Sequence, residues 1–573
     1  MFKNVSRRDA ILVLAGASCF YTFSALVPGA KSPAIIIDTS HTHLLNAGQT
    51  ANEAAGQLVT EAAGQTVTET VLLPQPPRTP LDLGLVRNFP ETTVVAHAPG
   101  WTVFRDLYMS SGALLLLTSD PSKFPPHRLM TSTGLPGNLT NDGERQPTAR
   151  DMAFVTPEDA RSAWGGDISR GERNRVQTVE GTTLLFNDPP QFLNHSFNQP
   201  TRSDYHFVAE LMFGSWAFLY GVFSDGRIKP PATGTPTEPS FNPPFILTSA
   251  PPPINRAIFI HSDAHGWRDN PGFNAYFLRA VFPSMTVEVD IDWLDRIQST
   301  ANPEIGRAVH FPLVLLTDRS AAFRGPICGA HTQRTAAEAW VKMARLGKLD
   351  LVGNWWSGIR AAMVNYAGGD AQKESHSALE VPDKIVITYI NRQGGRRHLH
   401  DADHLAMVAA VEELVARKNQ EGGKRWEFNN IQAERLSLDE QIKYAANTTI
   451  LLGVHGNGLT HLVFMKPTRV SAVVEIFLPG GFARDYEWTS RSLGMTHYSV
   501  WKDTSFTYPD EPKFPAYPEG FHGSEIPVSG AFVAKLIDEH VFSRERGPPV
   551  DNSPATKFTA SLFDILPPVR LNV

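Results

Sequence analysis

The sequence predicts an α/β protein built from two Rossmann-like units that face each other across a cleft. Three observations carry this expectation. Apolar runs of strand length at 113–118, 256–261 and 384–390 are separated by longer stretches of helical period. Strands alternating with helices imply parallel sheet and βαβ units. The chain has 573 residues, more than one hydrophobic core usually organises, so at least two folded units are expected.

The elements follow in order. Lys3, Arg7 and Arg8 precede an apolar stretch over 10–27. Its length suits a bilayer-spanning helix, and the flanking positive charge belongs on the cytosolic side. This predicts a cytosolic tail at 1–9, a transmembrane signal-anchor at 10–28 and a stem at 29–80. A cleaved signal peptide is the competing reading, given Ala25, Gly29 and Ala30. Ser6-Arg7-Arg8-Asp9 also resembles a twin-arginine signal, which ranks lower. Within the stem, residues 54–61 recur in nearly the same form at 62–69, two copies being too few for a solenoid. Pro74, Pro76, Pro77 and Pro80 then stiffen an extended segment.

The first folded unit is expected over 81–380. It holds a buried strand at 113–118, long loops through 121–200, and a helix at 202–220 that carries His206 and Glu210. A strand at 256–261, a helix at 274–282, a strand at 285–289 and a helical stretch at 335–367 follow, with a linker at 368–383. The second unit, 381–520, opens with the strand 384–390. Helices at 401–418 and 438–446 lead to the strand 449–453, a glycine turn, a helix at 459–464 and the strand 470–476. A C-terminal extension, 521–573, closes the chain.

Composition removes several classes. Hydrophobic residues at 42% and charged ones at 19% describe an ordinary globular protein. A net charge of -6 without a basic field gives no footprint for a nucleic-acid partner. There are 2 cysteines, and Cys19 lies in the N-terminal apolar run, so Cys328 has no partner for a disulfide in the folded part. The common zinc sites with clustered Cys and His are missing too. Acceptor triplets for N-glycosylation start at Asn138, Asn194 and Asn447, the last in a predicted helix where modification is not expected.

The residues that carry chemistry cluster in the second unit. The strand at 449–453 runs into His455-Gly456-Asn457-Gly458 and then Leu459, Thr460 and His461. Glycines let backbone amides approach a ligand closely, and a helix start presents unpaired donors to phosphate oxygens. A tight turn with no ligand is the bland alternative. His455 within the turn, with Thr460 and His461 behind it, favours binding. The spacing fits neither a dinucleotide fingerprint nor a Walker A loop. Ligands of open parallel sheets sit beyond the strand C-termini. Arg392, just past the strand 384–390, is therefore placed to meet an anion held by the turn. Arginine matches phosphate by bidentate bonding. For Arg396 and Arg397 a solvated basic loop is at least as good a reading. Glu475, near the end of the strand 470–476, is placed to accept the ribose hydroxyls of a nucleotide.

Taken together, Tyr389-Ile390-Asn391-Arg392, the run from Leu452 through His455 to Thr460, Val473-Val474-Glu475-Ile476 and the segment Asp204 to Glu210 resemble glycosyltransferase family 61 in a fungal-type form. The similarity spreads over roughly 200–500. Plant β-1,2-xylosyltransferases are among its members. Many members have Ala where this chain has Asn457. The resemblance implies a GT-B fold, inverting transfer from a sugar nucleotide to a glycan or glycoprotein, and no obligatory metal or other cofactor. It leaves xylose, arabinose or N-acetylglucosamine open as the sugar. With the N-terminal anchor it implies a type II protein of the Golgi or endoplasmic reticulum membrane.

On this reading Arg392, His455, Glu475 and the backbone over Gly456, Asn457, Gly458, Leu459 and Thr460 hold the donor. The general base comes from His206 or Glu210, one turn apart on a helix face. Asp290-Ile-Asp292 and Asp401-Ala-Asp403 imitate the Asp-x-Asp of metal-dependent transferases, but such triplets arise by chance in an acid-rich chain. The alternative function is an inactive carbohydrate- or nucleotide-binding protein on a transferase fold. Trp101, Trp164, Trp216, Trp267, Trp355 and Trp356 could include sugar-stacking platforms, although most are expected in the core.

Overall fold

The computed structural model describes residues 83–137, 140–193, 205–224, 251–302, 304–328, 335–350, 352–371, 380–523 and 525–546. The expected anchor and stem, the 54–69 repeat, Asn138, Asn194 and Asp204 lie outside them. Residues from Thr79 onward belong to one compact unit.

The described residues form a mixed α/β structure around two sheets. The first contains β1 (Thr93–Ala98), β2 (Trp101–Ser110), β3 (Ala113–Leu117), β4 (Met152–Val155), β5 (Val176–Thr178), β6 (Thr182–Phe186), β7 (Ile254–Phe259), β8 (Thr286–Glu288) and β9 (Ala308–Thr317). Its order is β4-β3-β2-β9-β6-β7-β8, with β1 paired to β2 and β5 to β9. Strands β9, β6, β7 and β8 run parallel, and β2 lies antiparallel against β9. The second sheet has the order β11-β10-β12-β13-β14-β15, from β10 (Lys384–Ile390), β11 (Arg425–Ile431), β12 (Ile450–Val454), β13 (Ala472–Ile476), β14 (Thr496–Trp501) and β15 (Thr504–Phe506). It is parallel except for β15.

Where apolar runs are continuous, strands fall as expected; β10 coincides with 384–390, and six of its seven residues are buried. The expectation of long loops over 121–200 needs correction. That span contains β4, β5, β6 and the helix Pro157–Trp164, whose N-cap Thr156 accepts from the amide of Asp159. The expected single helical stretch at 335–367 is two helices, Thr335–Arg345 and Ser357–Tyr366. Gly353 sits between them at φ 75°, and a Cβ there would press on the carbonyl of Leu493. Helix continuity is lost where the backbone turns left-handed.

The helix α1 (Tyr205–Phe223) is the apolar axis of the first half. It is long and apolar enough to cross a membrane by composition, yet 72% of its best window is buried inside the protein, as expected for a core helix. Its first two turns, Tyr205–Met212, are wound wide, with five residues per hydrogen-bonded step. Gly214 lets the Trp101 ring lie against the helix backbone. The core around α1 continues into the second half through Leu459, Val463 and Phe464. Trp356 donates its indole N–H to the carbonyl of Val463 at 2.8 Å, and Trp355 to that of Ser492 at 3.1 Å. Both rings are fully buried, as are Trp101 and Trp267, so these four are core rather than sugar platforms. Replacing such a Trp by Ala typically costs about 3–5 kcal/mol.

Candidate functional site

The wide turn at the head of α1 positions two of the expected residues. His206 Nδ1 lies 2.8 Å from Glu210 Oε2. Glu210 is buried, and its other contacts are the Thr335 hydroxyl at 3.1 Å and the Arg319 guanidinium at 3.1 Å. Burial alone would push its carboxyl up. The hydrogen bond and charge of His206, with Arg319 and Thr335 behind them, outweigh burial and hold it below the usual carboxylate range. An ionised Glu210 pairs with His206 Nδ1 and so fixes the half-buried ring.

Arg319 is itself fixed from behind. Asp188 accepts from its Nε at 2.7 Å and from its amide at 2.8 Å, and Arg319 also donates to the carbonyl of His206 at 2.6 Å. Asp188 and Arg319 are both buried. They follow the C-terminal ends of the neighbouring parallel strands β6 and β9. Sequence reading missed this pair. The strand-end rule that singled out Arg392 applies equally to the apolar runs ending before Asp188 and Arg319.

In the second half, β12 ends at Val454 and the chain turns through His455 and Gly456 into the tight helical turns of Asn457–Phe464. Gly456 has φ 145°, and a Cβ there would run into the Arg392 guanidinium. Arg392 and Arg397 both donate to the His455 carbonyl, at 3.3 Å and 2.6 Å. Arg397 also bonds His522 and lies 5.5 Å from the Phe521 ring centre. Burial and its neighbour Arg392 lower Arg397 to about 10, and burial lowers Arg392 as well. Two half-buried cations side by side raise the local demand for an anion. Arg397 thus joins the site, whereas Arg396 is exposed, as a solvated loop residue would be.

His455 is stacked on Phe477 with ring centres 5.0 Å apart and is buried. Its Nδ1 lies 2.5 Å from Glu475 Oε1, and His497 Nε2 lies 2.7 Å from Glu475 Oε2. Burial, then Arg397 and Arg392, hold His455 well below its usual range, while burial and then Asp485 push Glu475 up. Glu475 has no exposed surface and both of its oxygens are taken. Its geometry is that of a group orienting His455, and it leaves no oxygen for ribose hydroxyls. His497 had no sequence signal beyond its place on β14. Leu459 and Thr460 are buried, with the Thr460 hydroxyl on Asn457 Oδ1 at 3.4 Å, and the Leu459 amide donates to the Gly456 carbonyl at 2.9 Å, so the backbone that faces a ligand is that of the turn before them. His461 is structural, held by the Gly458 carbonyl at 2.7 Å and Gln441 at 3.0 Å.

The two groups of residues meet. The amide of Tyr205 donates to Asn457 Oδ1 at 3.1 Å, and the Tyr205 ring touches that of Tyr486, which in turn touches His455. A dyad able to take a proton is therefore set beside a glycine turn lined by two guanidiniums. The acidic triplets have structural roles at helix starts. Asp292 accepts from the Val289 amide at 2.8 Å, and Asp403 from the Val528 amide at 3.1 Å.

Comparison with known proteins gives a matching reading. Residues 293–473 match the family model described as Glycosyltransferase 61. The matched span runs across both sheets. It includes Arg319, Arg392 and His455 to Thr460, starts after His206 and Glu210, and stops just short of Glu475. The chain is also 29% identical over 137 residues to an EGF domain-specific O-linked N-acetylglucosamine transferase of Drosophila melanogaster, an alignment covering 24% of this chain and 23% of that protein. The aligned part therefore spans about a quarter of the relative's length.

Proposed function

We propose, from the premise that this chain carries a glycosyltransferase 61 region, that it is an inverting glycosyltransferase of GT-B type. It would move a sugar of the xylose, arabinose or N-acetylglucosamine class from a UDP-sugar to a hydroxyl of a glycan or glycoprotein. The observation that carries this reading is the bond between Tyr205 and Asn457, which sets the His206–Glu210 dyad beside the turn that Arg392 and Arg397 line.

In the proposed step the acceptor oxygen attacks C1 of the donor sugar from the side opposite the diphosphate. The C1–O bond breaks, and its electron pair leaves with UDP. The acceptor proton passes to His206 Nε2, while Glu210 fixes the ring and stabilises the imidazolium. Arg392, Arg397 and the backbone over Gly456, Asn457 and Gly458 meet the charge that develops on the diphosphate. Glu475 acts through His455. The guanidiniums supply the positive charge locally, so the reading includes neither a metal nor another cofactor.

The proposal extends to organisation: an acceptor half over 81–380 and a donor half over 381–520, with a C-terminal extension over 521–573. It retains a signal-anchor at 10–28, a stem at 29–80, and a lumenal catalytic region in the Golgi or endoplasmic reticulum. The test is a panel of UDP-sugars screened for thermal stabilisation, since a true donor raises Tm by mass action. Transfer is then assayed in wild type and His206→Ala. The variant should lose transfer by about 100-fold or more and still bind UDP. Full transfer by His206→Ala would remove His206 from the mechanism. Loss of activity in excess EDTA, restored by manganese, would overturn the metal-free reading.

A further inference from the structure

The acceptor triplet Asn447-Thr448-Thr449 has no part in the proposed reaction, and its place in the fold removes the objection its helix raised. The helix Leu438–Asn447 opens on the capping box of Ser437 and Glu440 and ends at Asn447 itself. Ala445, Ala446, Thr448 and Thr449 are buried, whereas Asn447 is exposed. It continues the outer face begun by Glu440 and Lys443, at helical spacing. Asn447 Nδ2 donates to the Lys443 carbonyl at 2.9 Å, and an amide nitrogen carries a second hydrogen beyond that one.

Asn447 stands at the opposite end of the second sheet from the glycine turn. Strand β12 begins just after it and runs parallel to β10 and β13, and His455 follows the far end of that strand. The 5 residues of β12, at about 3.3 Å each, put about 16 Å of strand between them. A bulky group on Asn447 therefore stands clear of Arg392, Arg397 and His455.

Thr449 is enclosed in the folded chain, where its Oγ1 accepts from the Val386 amide at 3.1 Å. That enclosure belongs to the finished sheet. β12 lies between β10 and β13, and both β13 and β14 follow it in the chain. As Asn447 and Thr449 emerge during synthesis, one side of their strand has yet to be made. The hydroxyl is accessible at that stage, and its later burial leaves Asn447 outside.

We propose that Asn447 is an N-glycosylation site, modified on entry into the lumen, an inference that rests on the lumenal reading above. In that step Asn447 Nδ2 attacks C1 of the first sugar of a lipid-linked oligosaccharide diphosphate. The N–C1 bond forms. The C1–O bond breaks, its electron pair leaves with the lipid diphosphate, and one amide proton passes to the transferring enzyme. One N–H remains for the Lys443 carbonyl, so the modified side chain keeps its partner in the folded helix.

The test is expression of the full chain in eukaryotic cells, with an Asn-Ser-Thr acceptor tag appended at the C-terminus as a lumenal reporter. Peptide mapping after peptide-N-glycosidase F, which converts a glycosylated Asn to Asp, reads each position. The expected result is an occupied Asn447 alongside an occupied tag. Asn447→Gln, at an exposed position, should remove one glycan's step in gel mobility and leave UDP affinity unchanged. A bare Asn447 beside an occupied tag overturns this inference alone. If both are bare, the chain does not enter the lumen, and the lumenal reading falls together with this site. A fall in UDP affinity on Asn447→Gln would put the residue in the donor site and overturn the proposal.

Discussion

The backbone amide of Tyr205 bonds the side-chain oxygen of Asn457 across 252 positions of sequence, at 3.1 Å. Tyr205 precedes the proposed base, and Asn457 sits inside the turn proposed for the donor. On the proposed mechanism this side chain links the residue next to the proton acceptor with the turn that meets the leaving group. A net hydrogen bond is worth about 1 kcal/mol. Asn457→Ala should lower kcat about fivefold and change UDP affinity less. Equal changes in both, or none, would show that the bond does not set the geometry.

Asp188 and Arg319 form a buried ion pair behind Glu210. Asp188→Asn leaves a guanidinium buried beside a single carboxylate, and breaking such a pair typically costs about 3–5 kcal/mol. The expected result in urea denaturation is a loss of that size, with transfer reduced further than stability explains. The double variant Asp188→Leu with Arg319→Met removes both charges. It should recover much of the stability and none of the transfer.

Gly456 allows the approach of Arg392 and has a backbone that L side chains rarely adopt. Gly456→Ala should weaken UDP binding at least tenfold by isothermal titration. Gly358, within the helix Ser357–Tyr366, has open space around a Cβ. Gly358→Ala should leave UDP binding unchanged and add about 0.5–1 kcal/mol of stability.

His540 is buried, bonded to the Tyr498 hydroxyl at 3.0 Å and the Val470 carbonyl at 3.2 Å, and burial followed by Arg544 lowers it to about 4. The folded chain keeps this ring neutral, while the unfolded chain protonates it near its usual value of about 6.5. Acid therefore favours unfolding. The stabilising contribution is complete above pH 6.5 and is lost as pH falls towards 4, by up to about 3 kcal/mol. Tm measured across that window should fall more steeply in wild type than in His540→Gln. Parallel curves would assign the acid sensitivity to other groups.

The readable parts of the sequence were those where one physical signal dominated. The β10 run is apolar without interruption, and the glycine turn after β12 breaks such a run abruptly. The central strands β2 and β9 were not read. β2 contains Arg105 and Asp106, the latter at φ 57°, so it shows no clean alternation, and in β9 the apolar run Leu313–Leu316 is preceded by Pro312 and His310, which break the pattern of the strand. Within the site, His206, Glu210, Arg392 and His455 declared themselves by type and by place next to strands or helix starts. Arg397 looked like its solvated neighbour Arg396, because only the fold buries one and exposes the other. Asp188 and Arg319 are 131 positions apart, and their pairing exists only once β6 and β9 are adjacent. Glu475 was noticed for its position, but its buried bonds to His455 and His497 depend on β14 lying beside β13.

The helix Tyr205–Phe223 owes its shelter to residues made well after it, among them Trp340, Trp355, Trp356 and Phe464. As the polypeptide emerges from the ribosome, a greasy rod of 19 residues has Trp101, Leu184 and Phe186 to pack on but waits for the rest of its covering. That interval makes it a sticky hazard during biosynthesis and a natural grip for chaperones. Truncations ending before residue 340 should aggregate, however sound their earlier strands.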